Sequence, residues 1–206
     1  MKTVLCFGDS NTWGYIPGSG GERHPREARW PNVLAATLGG GYEVIAEGLG
    51  GRTATYDRPD SEGRNGLPYL VPCLQSHAPV DLVVIFLGTN DVNFMDDERV
   101  ARCVARLVRI ARASESGPDW GPPDVLVLCP PAFDGHTLGA SYAEECAELG
   151  CALLDLEGIT SYPVVNDDVE HLDEAGHAAV AAVVADYVRG STQSARARPS
   201  SSPPSV

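Results

Sequence analysis

TVLCFGDSNTWG, at residues 3–14, joins an apolar run to a glycine and then to a serine. The run Val4–Phe7 is typical of a buried strand, and Gly8 and Asp9 mark the turn that ends it. Ser10 therefore lies just beyond a strand end, where its side chain can face a cleft. Serine is a weak nucleophile until a base removes its proton. The stretch predicts a catalytic serine only if the rest of the chain supplies a base, an orienting acid and oxyanion donors.

The rest of the chain repeats this alternation of apolar runs and turns. Five short runs are apolar enough to be strands buried on both faces, and amphipathic segments lie between them. Strands that alternate with helices form a parallel sheet with right-handed crossovers, which places ligands at the carboxyl ends of the strands. The predicted strands are Thr3–Phe7, Tyr42–Ala46, Leu82–Leu87, Val125–Cys129 and Ala152–Leu156. The predicted helices are Trp30–Leu38, Leu67–His77, Asp97–Ser114, Tyr142–Gly150 and Asp173–Arg189.

The length and composition are those of one globular domain. The chain has 206 residues, of which 43% are hydrophobic and 21% are charged, and both values are ordinary for such a domain. We place the domain at residues 1–189. Residues 190–206 form a Ser/Pro-rich tail that lacks large apolar side chains. Such a tail cannot offset the entropy of ordering, so we expect it to be disordered.

Charge and targeting signals limit the partners that the protein can have. The formal net charge is −13 at pH 7, and an acidic protein repels phosphate backbones, so we expect no nucleic-acid partner. The apolar run at the N-terminus is too short for a signal peptide, and no apolar stretch is long enough for membrane insertion. We therefore expect a cytoplasmic location, in which the six cysteines would stay reduced.

Four segments place polar residues or glycines where a catalytic site of a parallel sheet is expected. His171 can act as the base for Ser10, and Asp168, three residues earlier, can hold the imidazole in one tautomer. The N–H groups of Ser10 and Gly51 and the side-chain amide of Asn90 can donate to the oxyanion of a tetrahedral intermediate. This chemistry needs no metal and no cofactor. The four segments are Gly8–Asn11, Glu47–Thr53, Leu87–Asp91 and Asp167–Leu172.

Each of these segments, taken alone, has a plainer explanation. A Gly-Asp-Ser turn can cap a helix, Gly88–Asp91 can be an ordinary turn, and Asp-x-x-His can begin a helix. The glycine cluster Gly48–Gly51 is similar to a dinucleotide-binding loop, but Thr53 stands where that motif requires its third glycine. Asp167 is the alternative to Asp168 as the orienting acid, and the spacing to the histidine favours Asp168. Only the four segments together, in this order, are specific.

The four segments resemble the four sequence blocks of the SGNH hydrolases, also called the GDSL esterase/lipase family. Gly8-Asp9-Ser10 matches the first block, with the nucleophile at Ser10, and Gly51 and Asn90 match the glycine and the asparagine of the next two blocks. Asp168 and His171 match the Asp-x-x-His of the last block. The resemblance runs from about Lys2 to Arg189. It implies a flavodoxin-like three-layer α/β/α fold with a five-stranded parallel sheet of order 2-1-3-4-5.

Within that family, the chain is most similar to the bacterial arylesterase/acyltransferase branch. The matching stretches are CFGDSNTWGY, EVIAEGLGGRTA, NGLPYLVPCL and DLVVIFLGTND. In that branch, aromatic residues after the nucleophile line an apolar mouth, a role that would fall to Trp13 and Tyr15, and we add Asn11 as a third substrate-binding residue. The segment after Pro130-Pro131 is shorter than in that branch, where it shapes the channel and the oligomer contacts. A homo-oligomer therefore stays an open alternative.

These observations support three functional hypotheses. The first is a serine esterase that hydrolyses small carboxylic esters through an acyl-enzyme on Ser10. The second is an acyltransferase or a deacetylase that acts on a sugar or natural-product ester with the same residues. The third is a non-catalytic, flavodoxin-like binding module in which Ser10 caps a phosphate or a carboxylate. In the first two the partner is a small-molecule ester.

Overall fold

Five parallel strands form a sheet in the computed structural model, which describes residues 1–197, the last six of them as backbone only. The strands are β1 (Lys2–Gly8), β2 (Tyr42–Gly48), β3 (Leu82–Phe86), β4 (Asp124–Cys129) and β5 (Ala152–Asp155). Their order across the sheet is β2-β1-β3-β4-β5, and each neighbouring pair is parallel. The predicted sheet and its strand order are confirmed.

Helices occupy the connections between the strands. They are α1 (Ser10–Trp13), α2 (Trp30–Leu38), α3 (Leu67–Ser76), α4 (Asp97–Ala113), α5 (Gly139–Leu149) and α6 (Glu174–Ala197). α2 packs against α6, whereas α4 packs against both α3 and α5. The helices therefore cover the sheet in two groups, which gives the three layers of the predicted fold.

The central strands of the sheet are more buried than the two edge strands. Every residue of β3 is buried, and β1 is buried from Thr3 to Gly8. β2 and β5, at the two edges of the sheet, are only partly buried. This burial on both faces explains why the central strands are continuous apolar runs in the sequence.

The register of the sheet brings three loops to one level. Gly8, the last residue of β1, pairs with Gly48 of β2 and with Phe86 of β3. The chain therefore leaves the sheet at neighbouring points after β1, β2 and β3. Residues 8–11, 48–53 and 87–91 begin at these points, as the sequence pattern predicts.

Two helices differ from the sequence-based prediction. α6 continues through residues 190–197, which composition assigned to the tail. Gln193, Ala195, Arg196 and Ala197 are good helix formers, and no proline comes before Pro199. The rest of the predicted tail, residues 198–206, lies outside the described residues. α1 is a single helical turn at a place where the sequence predicts only a turn.

Two further findings concern the cysteines and the membrane. All six cysteines are free thiols, and four of them are buried. Among residues 1–197, no helix combines the length and the apolar character that a membrane crossing requires.

Candidate active site

Ser10 opens a single helical turn immediately after β1. Asp9 precedes this turn, and its carboxylate accepts the N–H of Asn11 at 2.9 Å. Gly14 ends the turn with a φ of 95°, a conformation that glycine adopts readily because it has no Cβ. The turn therefore holds Ser10 at the carboxyl end of β1, with 6% of its surface exposed.

A chain of hydrogen bonds joins Ser10 to His171 and Asp168. His171 Nε2 lies 2.9 Å from Ser10 Oγ, and His171 Nδ1 lies 2.9 and 2.8 Å from the two carboxylate oxygens of Asp168. Because a carboxylate only accepts, Nδ1 carries the imidazole proton, and Nε2 is left to accept the hydroxyl proton of Ser10. The structure thus brings the three predicted residues together in the arrangement that activates a serine.

A tight turn presents Asp168 to the histidine. Val165 and Asp168 exchange two main-chain hydrogen bonds, of 3.0 and 2.9 Å. The two residues between them, Asn166 and Asp167, have φ values of 50° and 65°, as in the type I′ turns that Asn and Asp tolerate. Asp167, the alternative acid, occupies the exposed tip of this turn, so the structure brings Asp168 and not Asp167 to the histidine.

Main-chain N–H groups keep Asp168 ionised. The N–H of Gly18 donates to its Oδ2 at 3.0 Å, and the N–H of Glu170 donates to its Oδ1 at 3.2 Å. Burial acts to raise the pKa of Asp168, but these N–H groups and His171 outweigh it, and the pKa lies below its usual value. Asp168 is therefore a carboxylate at neutral pH.

Asn11 holds the main chain on both sides of His171. Its Nδ2 donates to the carbonyl of Glu170 at 2.9 Å, and its Oδ1 accepts the N–H of Leu172 at 2.9 Å. Only 1% of the Asn11 surface is exposed. Both polar atoms of the Asn11 side chain are thus engaged by the protein, and its contact with substrate stays a prediction. These contacts indicate that Asn11 positions the segment that carries His171.

The two predicted aromatic residues differ in their contacts. The ring of Tyr15 stacks on the imidazole of His171, with 4.1 Å between the centroids. The ring of Trp13 is covered by the guanidinium of Arg23 at 4.7 Å, and Arg23 Nε also donates to the Trp13 carbonyl at 2.6 Å. Both aromatic residues are partly exposed. Tyr15 adjoins the reacting groups directly, and contact of either ring with substrate stays a prediction.

Arg52 ties together the loops that carry the predicted oxyanion donors. Arg52 is 3% exposed, and its guanidinium donates to the carbonyls of Gly8, at 2.8 Å, and of Glu47. Its own carbonyl accepts one N–H of the Asn90 side chain at 3.1 Å, which orients that amide and leaves the second N–H for a ligand. Gly51 precedes Arg52 and has a φ of +73°, a region that favours glycine.

Comparisons with known proteins show the family to which the chain belongs. The GDSL-like Lipase/Acylhydrolase family model matches residues 6–179. The chain belongs to this family. Its fold is similar to that of the aryl esterase of M. smegmatis, with 32% identity, a TM-score of 0.85, and coverage of 92% of this chain and 99% of that one. No curated protein sequence matches the chain.

Two carbohydrate acetylesterase structures from Sinorhizobium meliloti are also similar to this GDSL family member. They are 32% and 35% identical to it, with TM-scores of 0.84 and 0.82. Both alignments cover 92% of this chain, and they cover 99% and 98% of the acetylesterase chains. The predicted family, fold and enzyme class are thereby confirmed, and the protein is a carboxylic ester hydrolase.

Two buried carboxyl groups support the loops of this GDSL hydrolase. Both oxygens of Asp91 accept the N–H of Ala54 at 3.0 Å, which ties the loop after β3 to the loop after β2. Burial raises the pKa of Asp91 to about 7 and that of Asp9 also to about 7. The hydrogen bonds of both groups run to main-chain N–H groups, so we assign them to loop support rather than to proton transfer.

The site of this GDSL hydrolase contains contacts that the sequence did not indicate. The partners of the Asn11 side chain lie 159 and 161 positions away, and no local pattern indicates them. Gly18, which donates to Asp168, is one of 22 glycines in the chain and carries no distinguishing motif. Asn166-Asp167 does carry a local signal, because Asn and Asp are among the residues that dominate type I′ turns.

Proposed function

We propose that the protein is a serine esterase that hydrolyses small carboxylic esters through an acyl-enzyme on Ser10. The observation that carries the proposal is the 2.9 Å contact between Ser10 Oγ and His171 Nε2, with Asp168 on the other imidazole nitrogen. Membership of the GDSL-like family supports the same reaction class. The hypothesis of a non-catalytic binding module has no comparable support. A serine that only binds an anion needs neither a histidine base nor an orienting acid, so this hypothesis leaves His171 and Asp168 unexplained.

The first half of the proposed reaction forms the acyl-enzyme. His171 Nε2 takes the hydroxyl proton as Ser10 Oγ attacks the ester carbonyl, and Asp168 stabilises the imidazolium that results. The N–H groups of Ser10 and Gly51 and the free N–H of the Asn90 amide donate to the oxyanion. When the tetrahedral intermediate collapses, the carbon–oxygen bond to the alcohol breaks, and His171 gives its proton to the leaving oxygen.

The second half returns the enzyme to its starting state. His171 Nε2 removes a proton from a water molecule, and the resulting hydroxide attacks the acyl carbon bound to Ser10. The same three donors stabilise the second oxyanion, and the acid leaves as Ser10 Oγ recovers its proton from His171. All proton transfers use side chains of the protein.

Two substrate classes fit this site, and the comparisons favour both. Aryl esters are the first candidate, because the partly exposed ring of Tyr15 lies beside His171. Similarity to an aryl esterase supports the same class. Acetylated sugars are the second candidate, because two neighbours are carbohydrate acetylesterases. Rates of acetate release from an aryl acetate and from a peracetylated sugar, measured side by side, separate the two classes. Ester formation after addition of an alcohol would reveal the acyltransferase.

Hydrolysis of p-nitrophenyl acetate by the native protein and by Ser10→Ala tests the proposed nucleophile. We expect kcat to fall by roughly 10,000-fold or more, because loss of the nucleophile removes the covalent route. Ser114→Ala is the matched control, since Ser114 Oγ only donates to the carbonyl of Ala111, and it should keep full activity. Unchanged kcat in a folded Ser10→Ala protein would refute the assignment.

A further inference from the structure

Three metal-ligating side chains meet beside β2, and none of them belongs to the set formed by Ser10, Asp168 and His171. Glu47 Oε, Cys73 Sγ and a ring nitrogen of His77 all lie within 4.8 Å of one another. His77 Nε2 is already 3.0 Å from Glu47 Oε1. We call these residues the Glu47–Cys73–His77 cluster.

The fold explains why these three residues converge. Glu47 is the penultimate residue of β2, and Cys73 and His77 stand four positions apart at the C-terminal end of α3. Residues at this spacing share one helix face, which here is turned toward the end of β2. The thiol of Cys73 is buried, with 1% exposure, whereas the side chains of Glu47 and His77 are 20% and 29% exposed. An ion can thus reach the cluster from solvent through Glu47 and His77.

The donor set is one that zinc prefers. Sulfur, imidazole nitrogen and carboxylate oxygen are its ordinary ligands, at about 2.0–2.3 Å, which places neighbouring ligand atoms about 3.5 Å apart in a tetrahedron. The cluster needs to contract by only roughly 1 Å to reach this spacing. Three protein ligands leave the fourth position to water, as in zinc sites that keep an open position.

A fourth residue orients the carboxylate of the cluster. Tyr69 OH donates to Glu47 Oε2 at 3.0 Å, which leaves Oε1 directed at His77. Hydrogen bonds of this kind from outside the ligand set fix a metal ligand and typically contribute 10–100-fold to affinity. Tyr69 therefore prepares one oxygen of Glu47 for coordination.

The charges of the cluster match a divalent ion. Arg52 is a neighbouring positive charge, since its guanidinium carbon lies 5.3 Å from the centroid of the Tyr69 ring. This charge disfavours a cation, so the ligands themselves have to supply the compensating negative charge. The carboxylate of Glu47 and the thiolate of Cys73 together balance the two positive charges of Zn²⁺. Burial and Glu47 raise the pKa of Cys73 to about 12, so binding breaks the S–H bond and releases its proton to solvent.

We infer that Glu47, Cys73 and His77 form a Zn²⁺ site that cross-links α3 to the end of β2. The ion restrains the end of β2, which is followed by the loop that contains Gly51. Because it binds the folded protein through groups that are far apart in the unfolded chain, it raises the temperature of unfolding.

Titration of the reduced, metal-free full-length protein with Co²⁺ tests the site. Co²⁺ bound by a thiolate gives a sulfur-to-cobalt charge-transfer band, and we expect one equivalent to saturate it and Zn²⁺ to displace it. Cys73→Ser should abolish the band, His77→Gln should weaken binding by roughly 100-fold, and Tyr69→Phe by about 10-fold. Cys151→Ser and His136→Gln are the controls, since neither residue belongs to the cluster, and both should bind as the native protein does.

Two outcomes would overturn the inference: the native protein gives no charge-transfer band, or the band persists unchanged in folded Cys73→Ser. If Cys73→Ser does not fold, His77→Gln decides, because its side chain is partly exposed, and equal Co²⁺ affinity in that variant contradicts the site. Ser10→Ala should bind Co²⁺ normally. Co²⁺ binding would therefore stand even if the esterase proposal failed, and esterase activity would stand even if the protein bound no Co²⁺.

Discussion

At the scale of single residues, His171 is held through its ring by Asp168 and through its main chain by Asn11. The ring contact fixes the tautomer, because Nδ1 must donate to a carboxylate at 2.8–2.9 Å. The main-chain contacts fix where the ring stands, because Asn11 bonds to the residues before and after the histidine. Asp168 and Asn11 therefore make two separable contributions to the function of one base, His171.

Asp168→Asn tests the contribution of the acid. The amide can present an N–H to His171 Nδ1 and stabilise the wrong tautomer, so we expect kcat to fall by roughly 1,000–10,000-fold with little change in KM. Asp167→Asn is the matched control, because Asp167 is exposed at a turn position that Asn also tolerates, and its kinetics should be native. Esterase kinetics of the two variants measure both effects. If Asp167→Asn suffers the greater loss, the assigned acid is the wrong one.

Asn11→Ala tests the positioning role against a substrate-binding role. Loss of both main-chain hydrogen bonds lets the base shift, and a displacement of about 1 Å can cost 100-fold in rate. We expect kcat to fall by roughly 10–100-fold while KM stays near its native value, and fluorophosphonate labelling of Ser10 to slow by a similar factor. A raised KM with native kcat would instead show that Asn11 binds substrate.

At the scale of elements, the strands and helices were predictable and the connections only in part. Continuous burial makes β1, β3 and β4 visible as apolar runs, and parallel topology then places Ser10, Gly51 and Asn90 at one edge. The type I′ turn that presents Asp168 is local and carries a recognisable residue pair. The role of Asn11 rests on partners about 160 residues away, and such contacts are set by packing that no local pattern encodes.

The carboxyl group of Asp91 joins two loops and gives the fold a pH dependence. Burial raises its pKa from 3.8 to about 7, so the folded state binds more protons than the unfolded state between about pH 4 and pH 7. Its contribution to stability is therefore complete below about pH 4 and is lost as the pH rises to about 7, with a slope of about 1.4 kcal/mol per pH unit.

Asp91→Asn isolates this contribution. The amide oxygen can still accept the N–H of Ala54, but the side chain no longer titrates. We measure the free energy of unfolding by urea at several pH values. Between about pH 4 and pH 7, its dependence on pH should differ between the variant and the native protein by the contribution of one titrating proton. The remaining slope should combine Asp9 and Glu170, whose pKa values are also raised, with His177, whose pKa is lowered to about 3 and whose contribution has the opposite sign. Parallel stability–pH curves for the two proteins would contradict the assignment.

At the scale of the whole molecule, the sheet converts distant sequence segments into one site. Ser10 and His171 are 161 positions apart, yet Oγ and Nε2 lie within 2.9 Å. Arg52 and Asp91 then join the loops after β1, β2 and β3 through main-chain contacts. The central claim is that this convergence makes Ser10 a nucleophile that depends on His171.

Covalent labelling with a fluorophosphonate, followed by digestion and mass spectrometry, tests that claim most directly. We expect one adduct in the native protein, on Ser10. In His171→Ala, which keeps the serine but lacks its base, labelling should be lost or slowed by roughly 1,000-fold or more. An adduct on another residue, or equal labelling rates in the native protein and His171→Ala, would contradict it.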